Sequence, residues 1–277
     1  MYSLNCKGTL IDLSTPRVMG IINVTPDSFY DGGKTTQTNE VLRQAETMLE
    51  EGATFLDLGG YSSRPGADDV AETEELQRVI PAIEALITTF PNALISVDTF
   101  RSPVAKAAIE AGACIVNDIS AGQLDREMMQ TVARLQVPYI AMHMRGTPQT
   151  MTQFTHYEQV SRDVLGYFSE KIMEANSHGI NDVIADPGFG FSKTAAQNFS
   201  LLNELELFKK LDVPFLVGIS RKSFIYKTLG FTAKEALNGT TALHSIALLK
   251  GASILRVHDV KEAMECVKLI SELARAQ

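Results

Sequence analysis

With 277 residues, 45% of them hydrophobic and 21% charged, the chain can bury a large core, as two modest domains or as one of barrel size. A net charge of −8 with no basic stripe excludes a nucleic-acid surface, though a local Lys/Arg cluster can still hold an anion. Cys6, Cys114 and Cys266 are far apart and odd in number, which excludes a disulfide framework or thiolate metal site; with no signal-peptide core and no apolar run near the roughly 20 residues of a membrane span, a cytoplasmic protein without membrane contact is expected.

In chain order, residues 3–13 alternate around Lys7-Gly8 and predict a short β-hairpin within residues 1–14. Residues 18–22 are an apolar, β-branched run that reads as a buried strand, and Asn23 sits where strand becomes loop. That first loop, broken by Pro26, Gly32 and Gly33, carries Thr25, Asp27, Phe29 and Asp31. Val41, Leu42, Ala45, Met48 and Leu49 follow at helical spacing. Residues 54–58 are a second strand with Asp57 near its end, leading into the glycine-rich loop 59–66. Leu76, Val79, Ile80, Ile83 and Leu86 mark a helical face, in which Pro81 predicts a kink or break.

The alternation continues with strands at 94–97, 114–116, 138–142, 183–185, 214–217 and 253–257. Helical patterns lie from Ser102 onward, at 125–135, 157–178, 196–211, 221–250 and 260–274. Eight near-continuous apolar strands, each followed by a helical pattern, imply an α/β fold with a parallel sheet. Eight such units in about 250 residues fit a closed (β/α)8 TIM barrel better than a doubly wound open sheet.

Polar residues recur at the carboxyl ends of these strands: Asn23, Asp57, Asp98, Asn117, His143, Asp186, Lys222 just past the seventh, and Arg256 with His258. One Asp after a strand is ordinarily a helix cap. Recurrence at nearly every strand marks one site, because carboxyl ends carry the chemistry in such barrels. Asp98, Asn117 and Asp186 offer acceptors and one amide that both donates and accepts. That set matches the N–H and NH2 edge of a pterin or guanine, with Lys222 for the ring's acceptor side. Met142 and Phe191 suit either a sandwich around the ring or the barrel core. Arg64, Arg256 and His258 suit a diphosphate, and Asn23 can hold a Mg2+ shared with it. Residues 220–223 open a helix, whose N-terminus attracts anions. Arg64 and Arg221 read either as part of this cationic set or as solvated loop charges. His143 has no second His or Cys at ligand spacing, so a structural role is expected for it.

Met19–Phe29, Ser63-Arg64-Pro65-Gly66, Ser96-Val97-Asp98-Thr99, Val116-Asn117-Asp118, Met142-His143-Met144, Asp186-Pro187-Gly188-Phe189-Gly190-Phe191, residues 218–223 and Arg256-Val257-His258-Asp259 together resemble the bacterial dihydropteroate synthases over essentially the whole length. The resemblance implies a single pterin-binding TIM-barrel domain over 1–277. It also implies a transferase that condenses a dihydropterin methyl diphosphate with p-aminobenzoate in folate synthesis. By that resemblance Ser63, Asp98, Asn117, Met142, Asp186, Phe191, Gly218, Lys222, Arg256, Val257 and His258 hold the pterin diphosphate. Thr25, Phe29, Ser63, Arg64 and Ser223 form the p-aminobenzoate pocket, and Asn23 holds Mg2+. Asp31, Arg64 and Lys222 act in catalysis, Asp31 by stabilising a pterin-methyl cation. A homodimer, and sulfonamides as competitors, are implied as well.

Two departures stand out: the family's Glu-Ser-Thr-Arg reads Tyr61-Ser62-Ser63-Arg64 here, so a tyrosine replaces an acid, while Ser63 in place of threonine keeps the hydroxyl. Two other readings remain at this point. A methyltetrahydrofolate–corrinoid methyltransferase also binds a pterin in such a barrel, but needs no diphosphate site. A catalytically silent pterin-binding protein would not need Asn23, Lys222, Arg256 and His258 intact.

Overall fold

The computed structural model describes residues 2–24, 34–61 and 69–276. Strands β1 (Ser3–Cys6) and β2 (Thr9–Asp12) form an antiparallel hairpin that turns on Lys7 and Gly8, both at positive φ. Eight parallel strands follow: β3 (Arg17–Asn23), β4 (Phe55–Gly59), β5 (Leu94–Asp98), β6 (Ile115–Asp118), β7 (Tyr139–Met142), β8 (Val183–Asp186), β9 (Leu216–Val217) and β10 (Ile254–Val257). Their hydrogen-bonded order is β8-β7-β6-β5-β4-β3-β10-β9, and a bridge between Ala185 and Phe215 joins the two ends. Helices α1 (Lys34–Glu50), α2 (Glu72–Thr89), α3 (Ser102–Ala111), α4 (Met128–Leu135), α5 (Val160–His178), α6 (Ala195–Asn203), α7 (Ser223–Leu229), α8 (Leu237–Leu249) and α9 (Val260–Arg275) alternate with them. This is the (β/α)8 barrel with an N-terminal hairpin that the sequence predicts.

The strands are apolar throughout because they are buried on both faces. Alternate residues point to opposite sides. Val18, Leu56, Val97, Val116, Ala141, Ala185, Val217 and Val257 join the apolar helix faces in one core. Met19, Phe55, Ile115, Ile140, Ile184, Leu216 and Ile254 fill the barrel interior, and Leu4, Cys6 and Leu13 of the hairpin region close that interior from the amino end. Each such side chain contributes about 1.5–3 kcal/mol on burial. Two residues further along, on the same inward period, stand Asp57, Asn117, Met142, Asp186, Gly218 and Arg256. The barrel interior thus changes from apolar to mostly polar in one two-residue step, at its carboxyl end.

The predicted break at Pro81 does not occur: α2 runs through it. Pro81 and Gln77 are exposed, so the turn in which Pro81 leaves the Gln77 carbonyl without an N–H partner lies on the solvent side of the helix. The pattern at 196–211 divides into α6 and a 3-10 segment, Leu205–Leu211, that buries Leu205 and Phe208 one tight turn apart. The pattern at 221–250 divides into α7 and α8, because Gly230 at φ 73° ends α7 in the left-handed conformation. Strand β9 is two residues long. Pro214 before it has no N–H to give the ladder.

Candidate active site at the carboxyl ends of the barrel strands

Asn23, Gly59, Asp98 and Asn117 lie in one register row across β3, β4, β5 and β6. Asp57 lies two residues below Gly59 on β4 and is fully buried. Its Oδ2 accepts from Asn117 Nδ2 at 3.0 Å and from Arg256 Nε at 2.6 Å. Arg256 Nη2 donates to Asp98 Oδ2 at 2.7 Å. One guanidinium from β10 therefore links carboxylates of β4 and β5. Burial pushes the Asp98 carboxyl up, to about 7, against the pull of Arg256. Desolvation would lower the Arg256 pKa, yet Asp57 and Asp98 hold it above its usual value. Asp57 is a functional residue to which the sequence assigns no role beyond a strand end. Its signal was there: a carboxylate facing inward from a strand buried on both sides needs a cation.

The loop after β8 carries the second group. Asp186 Oδ1 accepts from the Gly188 N–H at 2.8 Å. Its Oδ2 faces the space above Gly218, 3.9 Å from where a Cβ on that glycine would stand. Burial raises the Asp186 pKa, with Lys222 and the Gly188 N–H opposing. Gly188, at φ 67°, passes so close to β7 that a Cβ would lie 2.0 Å from the His143 carbonyl oxygen. At Gly190 (φ 80°) it would lie 2.8 Å from Lys222 Cδ. Only glycine fits either place. Lys222 Nζ donates to the Phe189 carbonyl and stands 4.3 Å from the Phe191 ring centre.

Burial lowers the Lys222 pKa from 10.5 to about 8, with Asp186 opposing. Between those values the unfolded chain binds a proton that the folded chain has released, so folding gains stability as pH rises. Urea denaturation of the parent and of Lys222→Met at about pH 7.5 and about pH 10 checks this. The stability of the variant relative to the parent should fall by on the order of 2 kcal/mol toward the higher pH, and a pH-independent difference contradicts a depressed lysine.

The loops after β9 and β10 are tied together. Arg221 Nε donates to Asp259 Oδ2 at 2.9 Å and Nη2 to Asp259 Oδ1, while the Arg221 N–H donates to Thr240 Oγ1 at 3.1 Å. Arg221 is thus neither a free anion ligand nor a solvated charge; it is half of a bidentate pair. Ser220 Oγ accepts from the His258 N–H at 3.1 Å and lies 3.0 Å from His258 Nδ1. From sequence Ser220 belongs to the anion-attracting stretch 220–223; the structure ties it to His258 instead. The helix expected to open at residues 220–223 begins only at Ser223, which is exposed, because Arg221 before it takes the left-handed conformation at φ 55°.

Met142 packs with Ile119, Met144, Met151 and, at the edge, Phe191, forming an apolar wall beside the polar row. The side chain of Val257 is fully buried in the helix-facing core, which leaves its main chain as the part that can meet a ligand. Its neighbour Arg256 takes the inward position that Val257, one residue on, cannot. Tyr61 is buried. Its hydroxyl accepts from Gln149 Nε2 at 2.8 Å, and its ring meets Phe100 edge-on at 5.1 Å with the Arg101 guanidinium 5.4 Å away. The tyrosine therefore anchors residue 61 through contacts of its own. Thr25, Phe29, Asp31, Ser63 and Arg64 lie outside the described residues.

Residues 19–258 match the family described as pterin binding enzyme. The dihydropteroate synthase of Escherichia coli K12 is 42% identical over 276 residues, covering 99% of this chain and 97% of the relative. This chain belongs to the dihydropteroate synthases. Among solved structures, the Yersinia pestis dihydropteroate synthase in complex with a sulfonamide drug superposes with a TM-score of 0.93 at 40% identity and full coverage of both chains. The Xanthomonas albilineans dihydropteroate synthase in complex with 7,8-dihydropteroate superposes with a TM-score of 0.89 at 38% identity over 99% of each.

Proposed function

We propose that the polar row and the loop after β8 together bind a 7,8-dihydropterin methyl diphosphate and direct its condensation with p-aminobenzoate to dihydropteroate and diphosphate. The observation that carries the reading is the single inward layer of Asp57, Asn117, Asp186 and Arg256 set directly on an apolar barrel core. Asp186 Oδ2, held at the pocket floor over Gly218, accepts from the pterin's amino and ring N–H donors. Asn117 completes that edge, and Lys222 donates to the ring's acceptor side. Met142 and Phe191 flank the ring. Arg256 uses Nε and Nη2 on Asp57 and Asp98, which leaves Nη1 to meet the diphosphate beside His258.

Asn23 is half-buried at the end of β3, in the row that holds Asp98, and its amide oxygen fits Mg2+, which takes few protein oxygens and fills its shell with phosphate and water. When bound, Mg2+ neutralises charge on the leaving diphosphate. Arg256 does the same by its charge and His258 adds a hydrogen bond from the protein side, so C–O cleavage can run ahead of attack. The aniline nitrogen is already nucleophilic and then attacks the exocyclic methylene carbon. It loses its proton without a strong protein base. Asp31 is assigned to the developing cation, and Arg64 to the charge of the leaving diphosphate. Thr25, Phe29, Ser63, Arg64 and the exposed Ser223 are assigned to p-aminobenzoate, whose pocket sulfonamides would share.

The whole of 1–277 acts as one cytoplasmic pterin-binding domain. It pairs with a second copy through the adjoining helices α8 and α9, which expose Leu249, Leu269 and Leu273. Purified protein given the pterin diphosphate and p-aminobenzoate should release one diphosphate per dihydropteroate, require Mg2+, be inhibited by a sulfonamide competitively with p-aminobenzoate, and sediment as a dimer. No dihydropteroate, or transfer of a methyl group instead, overturns the proposal.

A further inference from the structure

Lys193 has no part in the proposed chemistry, yet its amine is buried beneath the site. Its Nζ lies 3.0 Å from His143 Nδ1, 3.0 Å from the Gly188 carbonyl oxygen and 3.2 Å from the Phe191 carbonyl oxygen. Burial pushes the Lys193 pKa well below its usual value, with Asp186 opposing, and an amine in either charge state has N–H donors for the two carbonyls. His143 is suited to accept. Burial and the neighbouring Lys193 push its pKa well below the usual value, so the imidazole is neutral with a free nitrogen lone pair. It is also fixed by an edge-on contact with Tyr167 at 4.8 Å. This gives His143 the structural role expected from its sequence and names what it supports.

The two carbonyls are the ends of one turn, in which the Phe191 N–H donates to the Gly188 carbonyl oxygen at 3.1 Å. At one end, the Gly188 N–H holds Asp186 Oδ1 at 2.8 Å. At the other stands the Phe191 ring, 4.3 Å from Lys222 Nζ. In the middle, the Phe189 carbonyl accepts from Lys222. Three of the groups assigned to the pterin, on Asp186, Phe191 and Lys222, are therefore hung on four residues, and one buried lysine amine clasps those residues to the end of β7. We propose that Lys193 is a positioning residue for the pterin pocket, fixing turn 188–191 so that the Asp186 carboxylate, the Phe191 ring and the Lys222 ammonium meet the ligand together. The inference rests on the reading of Asp186, Phe191 and Lys222 as pterin contacts.

Lys193→Met keeps an unbranched side chain one atom shorter and removes every donor. Lys193→Gln keeps an NH2 group on a shorter stem, so fewer of the acceptors are reached. Binding of 6-hydroxymethylpterin by calorimetry should weaken about tenfold or more in Lys193→Met and by a smaller factor in Lys193→Gln, as expected when supporting groups let a site drift. In turnover, KM for the pterin diphosphate should rise with it, while KM for p-aminobenzoate stays within about twofold; a loss of bulk stability alone would not divide the two substrates in this way. Lys193→Arg should not restore binding, because a planar guanidinium cannot place donors on three such acceptors. Pterin affinity within about twofold of the parent, in whichever of the Met and Gln variants folds, overturns the inference, and so does an equal rise in both KM values. Asp186→Asn in the same calorimetry separates the two levels. If it binds pterin normally, the pocket reading fails; if it loses binding while the Lys193 variants keep it, only the role of Lys193 fails.

Discussion

Asp186→Asn should weaken pterin binding by about a hundredfold or more, from the loss of about 3 kcal/mol of charge-assisted hydrogen bonding. The carboxylate has one oxygen committed to the Gly188 N–H, and the other aimed over Gly218. An amide in its place either turns an NH2 toward the ligand's own donors or turns it toward the Gly188 N–H. Both orientations leave a donor facing a donor in a buried place, which costs more than the lost bond itself. The fold should survive, since Asp186 is the last residue of β8 and its main-chain bond from the His143 N–H is unaffected. Calorimetry with 6-hydroxymethylpterin reads the effect directly, and a dissociation constant within about threefold of the parent contradicts the role.

Arg256→Met should cost both activity and stability. Arg256 is the cation between Asp57, which is fully buried, and Asp98. Removing one partner of a buried pair leaves an uncompensated charge and typically costs about 3–5 kcal/mol. Here two carboxylates are left, and Asp57 raises the pKa of Asp98. Taking up a proton relieves the pair, so the penalty should be smaller near pH 5 than near pH 8; like that of Lys222→Met, it grows with pH. On the folded fraction, turnover should fall about a thousandfold, because the same guanidinium meets the leaving diphosphate. Urea denaturation at the two pH values and diphosphate release are the measurements. A loss of stability that does not grow with pH contradicts the charge argument, and turnover within about tenfold of the parent contradicts the leaving-group role.

Much of this site was legible before any coordinates. In β4, β6, β8 and β10 the inward residue changes from Phe55 to Asp57, from Ile115 to Asn117, from Ile184 to Asp186 and from Ile254 to Arg256. That change falls two residues along each strand, so period-two alternation and a strand boundary suffice to find it. The same alternation read strictly would have turned Val257 outward, into the core where it lies. What the sequence could not show is who pairs with whom. Asp57 and Arg256 are separated by 199 positions, and nothing local says that one guanidinium joins two carboxylates. Lys193 is equally opaque, because a lysine three residues past a glycine-rich loop looks like a solvated charge until its amine is found among three acceptors. Pro81 misled for a related reason: a proline's effect on a helix depends on whether the carbonyl it frees faces water, which only packing decides.

The most direct measurement of the central claim is a crystal structure of this chain with 6-hydroxymethylpterin, diphosphate and Mg2+. The account predicts the pterin's amino and ring N–H on Asp186 Oδ2 at about 2.9 Å, Lys222 on its acceptor side, and diphosphate between Arg256, His258 and Asn23. A pterin bound away from the β8 end, or Asp186 facing away from it, would contradict the account.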